Sequence, residues 1–141
     1  MAGVVVAMSL VALPGCGSSN SDADAAKDTM KSFLAALATG DGKKACSLAD
    51  AAGRQRLVAA GRGRATCEDV IKLIASRLPP KVKEGLENAD VKKVTVKGNT
   101  ATIKDSDIKS SKGDASAFLT GGRPTKLVKE GGKWKLSGTG G

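Results

Sequence analysis

The chain has 141 residues, a net charge of +9, 40% hydrophobic residues and 26% charged residues, which indicates one soluble globular domain with a short additional segment. It contains no histidine or tyrosine, one tryptophan and two phenylalanines, so histidine- and tyrosine-based catalysis is excluded. The positive charge favours anionic partners. Because so few aromatic rings are available to stack on bases, we do not expect a nucleic-acid partner.

The first segment, MAGVVVAMSLVAL (residues 1–13), is apolar and uncharged. It is shorter than the run of about 20 residues that a membrane-spanning helix needs. Its length and character are those of the hydrophobic region of an export signal. The alternative is that it forms an internal helix or strand of the fold.

The residues that follow resemble the lipobox of bacterial lipoproteins. Leu13, Gly15 and Cys16 match the pattern, whereas Pro14 departs from it, and no basic residue precedes the apolar run. The resemblance implies that residues 1–15 are a lipoprotein signal peptide. It also implies that Cys16 carries a diacylglycerol and palmitate, which would anchor the protein in the cell membrane on its extracytoplasmic side.

Polar and small residues follow the cysteine, in the sequence GSSNSDADA. This composition is typical of a flexible linker. We therefore expect residues 16–24 to form a tether between the lipid and a folded domain at residues 25–138.

The first predicted helix starts at a capping residue, Ser21 or Asp22, and ends at Gly40. Its apolar residues recur at helical spacing and are expected in the core: Met30, Phe33, Leu34 and Leu37. A short helix is predicted at residues 43–50.

The segment after residue 50 is ambiguous, because a brief helical pattern at Leu57 and Val58 is broken by glycines. It carries the densest positive charge of the chain, at Arg54, Arg56, Arg62 and Arg64. These arginines form either a contact for an anion or headgroup, or a solvated edge of the fold.

Another helix is predicted after Thr66, with Thr66 as its N-cap and Asp69 in an imperfect capping box. Pro79 and Pro80 end it. The sequence KVKEGLENAD (residues 81–90) is expected to be a linker or one weak helical turn.

The three cysteines suggest a pairing. If Cys16 is lipidated, Cys46 and Cys67 remain, and an even remainder in an exported protein favours a disulfide between them. The alternative is two separate buried thiols. Two thiolates without histidine fall short of the usual four zinc ligands, so we expect no metal site and no cofactor.

The spacing of apolar residues changes to a period of two in VKKVTVKGNTATIKD (residues 91–105), which predicts a β-hairpin that turns at Gly98-Asn99. The face opposite the apolar residues of this hairpin carries Lys93, Thr95, Lys97, Thr100, Thr102 and Lys104. A polar loop is expected at residues 106–114 and a strand at 115–122. A second hairpin is predicted at residues 125–138, with its turn at Gly131-Gly132 and with Trp134 and Leu136 facing inward. Helices followed by antiparallel strands predict an α+β domain with helices packed on one face of a curved sheet.

Several of these motifs together resemble those of small exported lipoproteins of high-GC Gram-positive bacteria with an NTF2-like, or cystatin-like, domain. They are the Gly40-Asp41 turn, the sequence ACSL around Cys46, the later Cys67, and the hairpins at Val94–Ile103 and Leu127–Leu136. The resemblance implies a bent sheet that wraps the helices into a cone, whose open end can hold a pocket. Some members of that superfamily are isomerase- or cyclase-like enzymes, and many others bind partners or dimerise through the sheet.

Three functions remain open. The first, which we expect, is a non-enzymatic binding or interaction module anchored in the membrane, with an envelope protein or anionic polymer as its partner. The second is an isomerase- or cyclase-type enzyme with a carboxylate base, for which the candidates are Asp41, Asp50, Asp105 and Asp107. The third is a basic domain whose lysine-rich strands dock on anionic headgroups or envelope polymers.

Overall fold

Helices come first and strands follow in the computed structural model, which describes residues 19–63, 65–115 and 123–139. The helices are α1 (Ser19–Thr39), α2 (Gly42–Ser47), α3 (Ala51–Ala60), α4 (Cys67–Arg77) and α5 (Pro80–Glu87). The strands are β1 (Ala89–Val91), β2 (Thr95–Lys97), β3 (Thr100–Ile103), β4 (Ile108–Ser110), β5 (Thr125–Glu130) and β6 (Lys133–Thr139), and a 3-10 helix lies at Asp105–Asp107. The predicted α+β class is confirmed.

Helix α1 ends where the sequence predicts. Gly40 has a φ of +74°, and the N–H of Asp41 donates to the carbonyl of Ala36 at 2.9 Å, which is the left-handed ending that favours glycine. The helix begins at Ser19, earlier than the predicted cap. Residues 19–24, which we expected in the flexible tether, are therefore helical.

Two aspartates start the next two helices. The Asp41 carboxylate accepts a hydrogen bond from the N–H of Lys44 at the start of α2, and the Asp50 carboxylate accepts one from the N–H of Gly53 at 2.7 Å at the start of α3. Helix α3 occupies most of the segment that the sequence left ambiguous. A Cβ atom at Gly53 would lie 2.3 Å from the Leu136 carbonyl oxygen. This close packing against β6, more than the weak helical pattern of the sequence, explains why α3 forms here.

Helix α4 begins at Cys67 behind the predicted N-cap. The Thr66 hydroxyl accepts from the N–H of Asp69 at 3.2 Å and donates to the Asp69 carboxylate at 2.7 Å. Because these bonds and the helix N-terminus all favour the charged carboxylate, the hydrogen bonds to Thr66 hold the pKa of Asp69 below its usual value.

Residues 81–90 were predicted to be a linker or one weak helical turn. The linker alternative was wrong and the helical one fell short, because α5 spans the eight residues Pro80–Glu87. Pro80 ends the preceding helix and also occupies the first position of the next one, where its missing N–H costs nothing. Val82 and Leu86, four residues apart, are buried. A Cβ atom at Gly85 would lie 2.5 Å from the Asp114 carbonyl carbon, so a glycine at this position lets the chain pass close to the helix.

The prediction of a polar loop at residues 106–114 was wrong for its centre. Strand β4 pairs antiparallel with β1, with Val91 opposite Ile108, and both side chains are buried. This small sheet is separate from the larger one. The fold therefore contains two antiparallel sheets among the described residues, rather than the single sheet that we expected.

The larger sheet has the order β2-β3-β5-β6, and all its neighbours are antiparallel. Both predicted hairpins are confirmed, and Gly131 and Gly132 both have positive φ angles in the second turn. The sheet's inner face is buried and joins one core cluster with α1 through Ala101, Ile103, Leu127, Trp134 and Leu136. A cone of NTF2-like type stays a prediction. The strand predicted at 115–122 lies, apart from Ala115, outside the described residues.

The connection between α2 and α3 attaches to the edge strand β6. Ala49 forms a parallel bridge with Leu136. The N–H of Leu136 donates to the Leu48 carbonyl at 2.8 Å, and the N–H of Asp50 donates to the Leu136 carbonyl at 2.9 Å. The helical half of the chain is thereby fixed to the sheet by main-chain hydrogen bonds as well as by apolar packing.

Candidate functional site

The predicted disulfide between Cys46 and Cys67 is confirmed. It joins α2 to the first residue of α4, with the two Cα atoms 6.1 Å apart. The helices are close there: a Cβ atom at Gly42 would lie 2.6 Å from the Glu68 carbonyl oxygen. The bridge therefore fixes a contact that the backbones already make.

The proposed lipid-bearing residue, Cys16, lies outside the described residues, as does the whole predicted signal peptide. Among the helices that the structure describes, none combines the length and the apolar character needed to cross a bilayer.

The arginines of the candidate anion contact occupy different surroundings. The Arg54 guanidinium donates to the Ala49 carbonyl at 3.1 Å, whereas Arg56 lies against β6 so closely that a Cβ atom at Gly138 would be 2.7 Å from its Nε. Arg62 is in the turn after α3 and has a φ of +61°, and Arg64 lies outside the described residues. Residues two apart point to different sides of a helix, so Arg54 and Arg56 do not converge. An anion contact at these arginines stays a prediction.

The candidate carboxylate bases have other roles or surroundings. Asp41 and Asp50 cap helices, and Asp50 is the buried charged side chain among the described residues. Asp105 and Asp107 lie in the short 3-10 helix after β3. Nor do three or more acidic or cysteine side chains group anywhere in the described ranges in a way that could hold a metal ion.

A half-buried ion pair connects α1 with the sheet. The Asp22 carboxylate lies 2.6 Å from the Lys129 ammonium group, and this hydrogen bond is the main reason that the pKa of Asp22 lies below its usual value of 3.8. The Lys129 ammonium also lies 5.9 Å from the centroid of the Trp134 ring, within the range of a cation–π contact. The buried Trp134 N–H forms no hydrogen bond in the described part of the chain, so Lys129 is the group that holds Asp22.

A groove lies on the outer face of the larger sheet, on the side away from the core. Its volume is about 430 Å³, and we call it the basic groove; its lining residues are Lys93, Thr95, Lys97, Thr100, Thr102, Lys104, Ser106 and Asp107. The strand register explains its composition. Thr95 is opposite Thr102, and Lys97 is opposite Thr100. Since side chains alternate between the faces of a strand, all the residues that β2 and β3 contribute point away from the core.

Three lysines give this groove its positive charge. Lys93, Lys97 and Lys104 are exposed, and none of them forms an ion pair with a described residue. Some carboxylates outside the groove already pair with other lysines. Asp90, for example, lies 2.6 Å from Lys92, and that hydrogen bond is the main reason that the pKa of Asp90 is lowered. The groove's lysines are therefore available to an external anion.

The groove's neutral side chains add hydrogen-bonding capacity. The hydroxyl groups of its threonines and of Ser106 can each donate one hydrogen bond, and an ammonium group can donate three. Oxyanions such as phosphate and carboxylate accept bonds of this kind most strongly. The lining contains one acidic residue, Asp107, against three lysines, so its charge is positive overall.

The sequence predicted part of this site. Period-two alternation placed the lysines and threonines of the first hairpin on its outer side, but nothing in the sequence indicated that the 3-10 helix would add Ser106 and Asp107 to them. Comparison with known proteins adds no further assignment: no family model matches the chain, and no curated protein or solved structure is significantly similar to it.

Proposed function

We propose that this protein is a bacterial envelope lipoprotein that is anchored through Cys16, and that its domain is a non-enzymatic module that binds an anionic polymer of the envelope. The observation that carries the binding role is the basic groove. Its three exposed lysines form no ion pair with any described residue, and they lie among side chains that can donate hydrogen bonds from hydroxyl groups. We further propose that the domain belongs to the NTF2-like superfamily, on the motifs described above.

The disulfide supports an extracytoplasmic location. Structural disulfides persist in oxidising compartments and are rare in the cytosol. The Cys46–Cys67 bond and the lipobox-like sequence at Cys16 both support this location.

An isomerase- or cyclase-type reaction has less support. It would need a carboxylate base with a pKa raised by an apolar site. Asp41 and Asp50 accept hydrogen bonds from backbone N–H groups as helix caps, so both carboxylates already have a structural role. The pKa shifts of Asp22, Asp69 and Asp90 are all downward.

The anchor is tested by detergent phase partitioning and by mass spectrometry of the mature N-terminus. We expect the wild-type protein in the detergent phase, with a mature chain that begins at lipid-modified Cys16. The Cys16→Ala protein should remain in the aqueous phase. If both proteins stay aqueous, the anchoring proposal is wrong.

Binding is tested with the unlipidated Cys16→Ala protein and a polyphosphate chain as the anionic probe, by isothermal titration calorimetry. The groove variant carries Lys→Gln changes at Lys93, Lys97 and Lys104. The control variant loses the same charge at exposed lysines elsewhere: Lys43, Lys72 and Lys81. We expect several-fold weaker binding for the groove variant and little change for the control, with all affinities falling as salt increases. Equal losses in the two variants would show that net charge alone drives binding and would contradict a role for the groove.

A further inference from the structure

The folded domain starts very close to the residue that would carry the lipid. Helix α1 begins at Ser19, three residues after Cys16. Three residues span at most about 11 Å even when fully extended. Whatever path this connection takes, the start of α1 lies within that distance of the anchor.

Three features meet at the start of α1. Asp22 lies in the first turns of the helix, and its carboxylate is 2.6 Å from the Lys129 ammonium group. The N–H of Lys129 donates to the carbonyl of Asn99 at 2.9 Å, which brings in the turn between β2 and β3. Lys129 also lies two residues before the Gly131-Gly132 turn. We call this part of the molecule the anchor end: the start of α1, the Gly98-Asn99 turn and the Gly131-Gly132 turn.

The opposite end of the domain is far from the anchor. At 1.5 Å per residue, a helix of 21 residues such as α1 is about 31 Å long. The end of α1 is surrounded by α2 and α4: Lys43 lies in the first turn of α2, and a Cβ atom at Gly40 would lie 4.0 Å from the Lys72 Cα atom. Lys43 and Lys72 thus mark the far end.

We infer that the anchor end of the domain rests on the lipid headgroups of the membrane. One end of the basic groove, at Lys97, lies beside the Gly98-Asn99 turn and therefore near the headgroups, whereas the rest of the groove, at Lys93 and Lys104, stays open to the aqueous side. This inference depends on the proposed lipidation of Cys16. The polar layer on each side of a bilayer is about 5 to 8 Å thick, so a connection of about 11 Å at most leaves little space between the headgroups and α1. The domain does not stand off on a long flexible tether.

The position of α1 also argues against an orientation in which the outer face of the sheet lies flat on the membrane. Helix α1 packs on the inner face of the larger sheet, whereas the basic groove is on its outer face. If the outer face lay flat on the bilayer, the connection would have to pass around the whole edge of the sheet. The short connection favours an end-on orientation, in which the groove reaches polymers rather than headgroups.

Lysine footprinting can measure this orientation. The lipidated protein is reconstituted in phosphatidylcholine vesicles and treated with a water-soluble acetylating reagent, and the rate at each lysine is compared with that of the soluble Cys16→Ala protein. We expect several-fold slower acetylation at Lys97 and Lys133, which are exposed beside the two turns of the anchor end. We expect unchanged rates at Lys43 and Lys72, which are exposed at the far end, and at Lys104 in the groove.

A variant with a longer connection gives the matched control. An insertion of about 12 glycine and serine residues after Cys16 adds a flexible span of roughly 20 Å. This protein should remain bound to the vesicles but lose the protection at Lys97 and Lys133.

Three other results would overturn the inference in different ways. Protection at Lys104 together with Lys97 would mean that the outer face lies on the membrane. Vesicle-bound protein with no protected lysine would mean that the domain stands away from the headgroups. If the wild-type protein does not bind the vesicles at all, the proposed lipid anchor is wrong, and the proposed function is contradicted as well.

Discussion

The Asp22 carboxylate lies 2.6 Å from the Lys129 ammonium group and joins residues that are 107 positions apart in the chain. This contact fixes the first turns of α1 to the end of β5. Its strength depends on pH, because it requires a charged carboxylate. The folded state lowers the pKa of Asp22 below its usual value of 3.8, so the contact stabilises the fold above that value. That contribution is lost as the pH falls below this value and through the lower folded pKa.

We therefore predict that Lys129→Met lowers the free energy of unfolding at pH 7, and that the difference from wild type shrinks as the pH falls below about 4. The measurement is urea unfolding followed by circular dichroism, because the Trp134 fluorescence would itself change when Lys129 is replaced. Lys126→Met, three residues away on the same strand, is the control and should show no such pH dependence. A difference that stays constant from pH 7 to pH 3 would contradict this explanation.

Loss of the disulfide should destabilise the protein strongly. Cys46 and Cys67 are 21 positions apart, and a loop of that size corresponds to about 3 kcal/mol of stabilisation in the loop-entropy treatment. The Cys46→Ala/Cys67→Ala protein should melt about 10 °C lower than wild type in a calorimetric scan. Reduction of the wild-type protein should give a similar shift, and a reducing agent should not affect the double variant. An unchanged melting temperature after confirmed reduction would contradict this prediction.

Gly85→Ala should destabilise the protein although alanine is the better helix former. The propensity difference of about 1 kcal/mol favours alanine. The added Cβ atom would meet the backbone of Asp114 and Ala115 at 2.5 to 2.6 Å, and such overpacking costs about 1–3 kcal/mol. Chemical denaturation gives the net effect, with Lys81→Ala, a change at an exposed lysine of the same helix, as a near-neutral control. A more stable Gly85→Ala protein would show that residues 114 and 115 can move away at no cost.

The core can be tested with two leucines of opposite exposure. Leu127 on β5 is fully buried, whereas Leu73 on α4 is 44% exposed. Truncation of Leu127 to alanine should cost about 2–5 kcal/mol of unfolding free energy, and the same change at Leu73 should cost less than about 0.5 kcal/mol. Urea unfolding measures both values. Similar costs for the two would mean that the inner face of the sheet is not the centre of the core.

Local patterns in the sequence predicted the elements that depend on local chemistry. The hairpins follow from alternation and glycine-rich turns, α4 follows from the cap at Thr66, and the end of α1 follows from Gly40. The outer position of the groove's lysines also follows from alternation, because a register shift of one residue would bury them.

Elements that depend on distant contacts were not predictable in this way. Helix α5 contains a glycine that lowers its intrinsic helix propensity, and only its packing on residues 114 and 115 explains that glycine. Strands β1 and β4 have three residues each, which is too short for a recognisable period. The Asp22–Lys129 pair joins residues that are 107 positions apart in the sequence, and no local pattern indicates such a partner.

The main-chain bridge between Ala49 and Leu136 also affects how copies of this protein can meet. β6 is an edge strand, and an open edge can pair with the edge of another molecule and start aggregation. The Leu48 and Asp50 backbones already use hydrogen-bonding groups of Leu136 on that edge. The opposite edge, β2, has three residues, ends with Lys97 and lies just after Lys93, so short length and charge discourage pairing there. On a membrane to which the proposed lipid anchor would hold them, copies of this protein would be crowded into two dimensions, and these features of both edges disfavour their joining into continuous sheets.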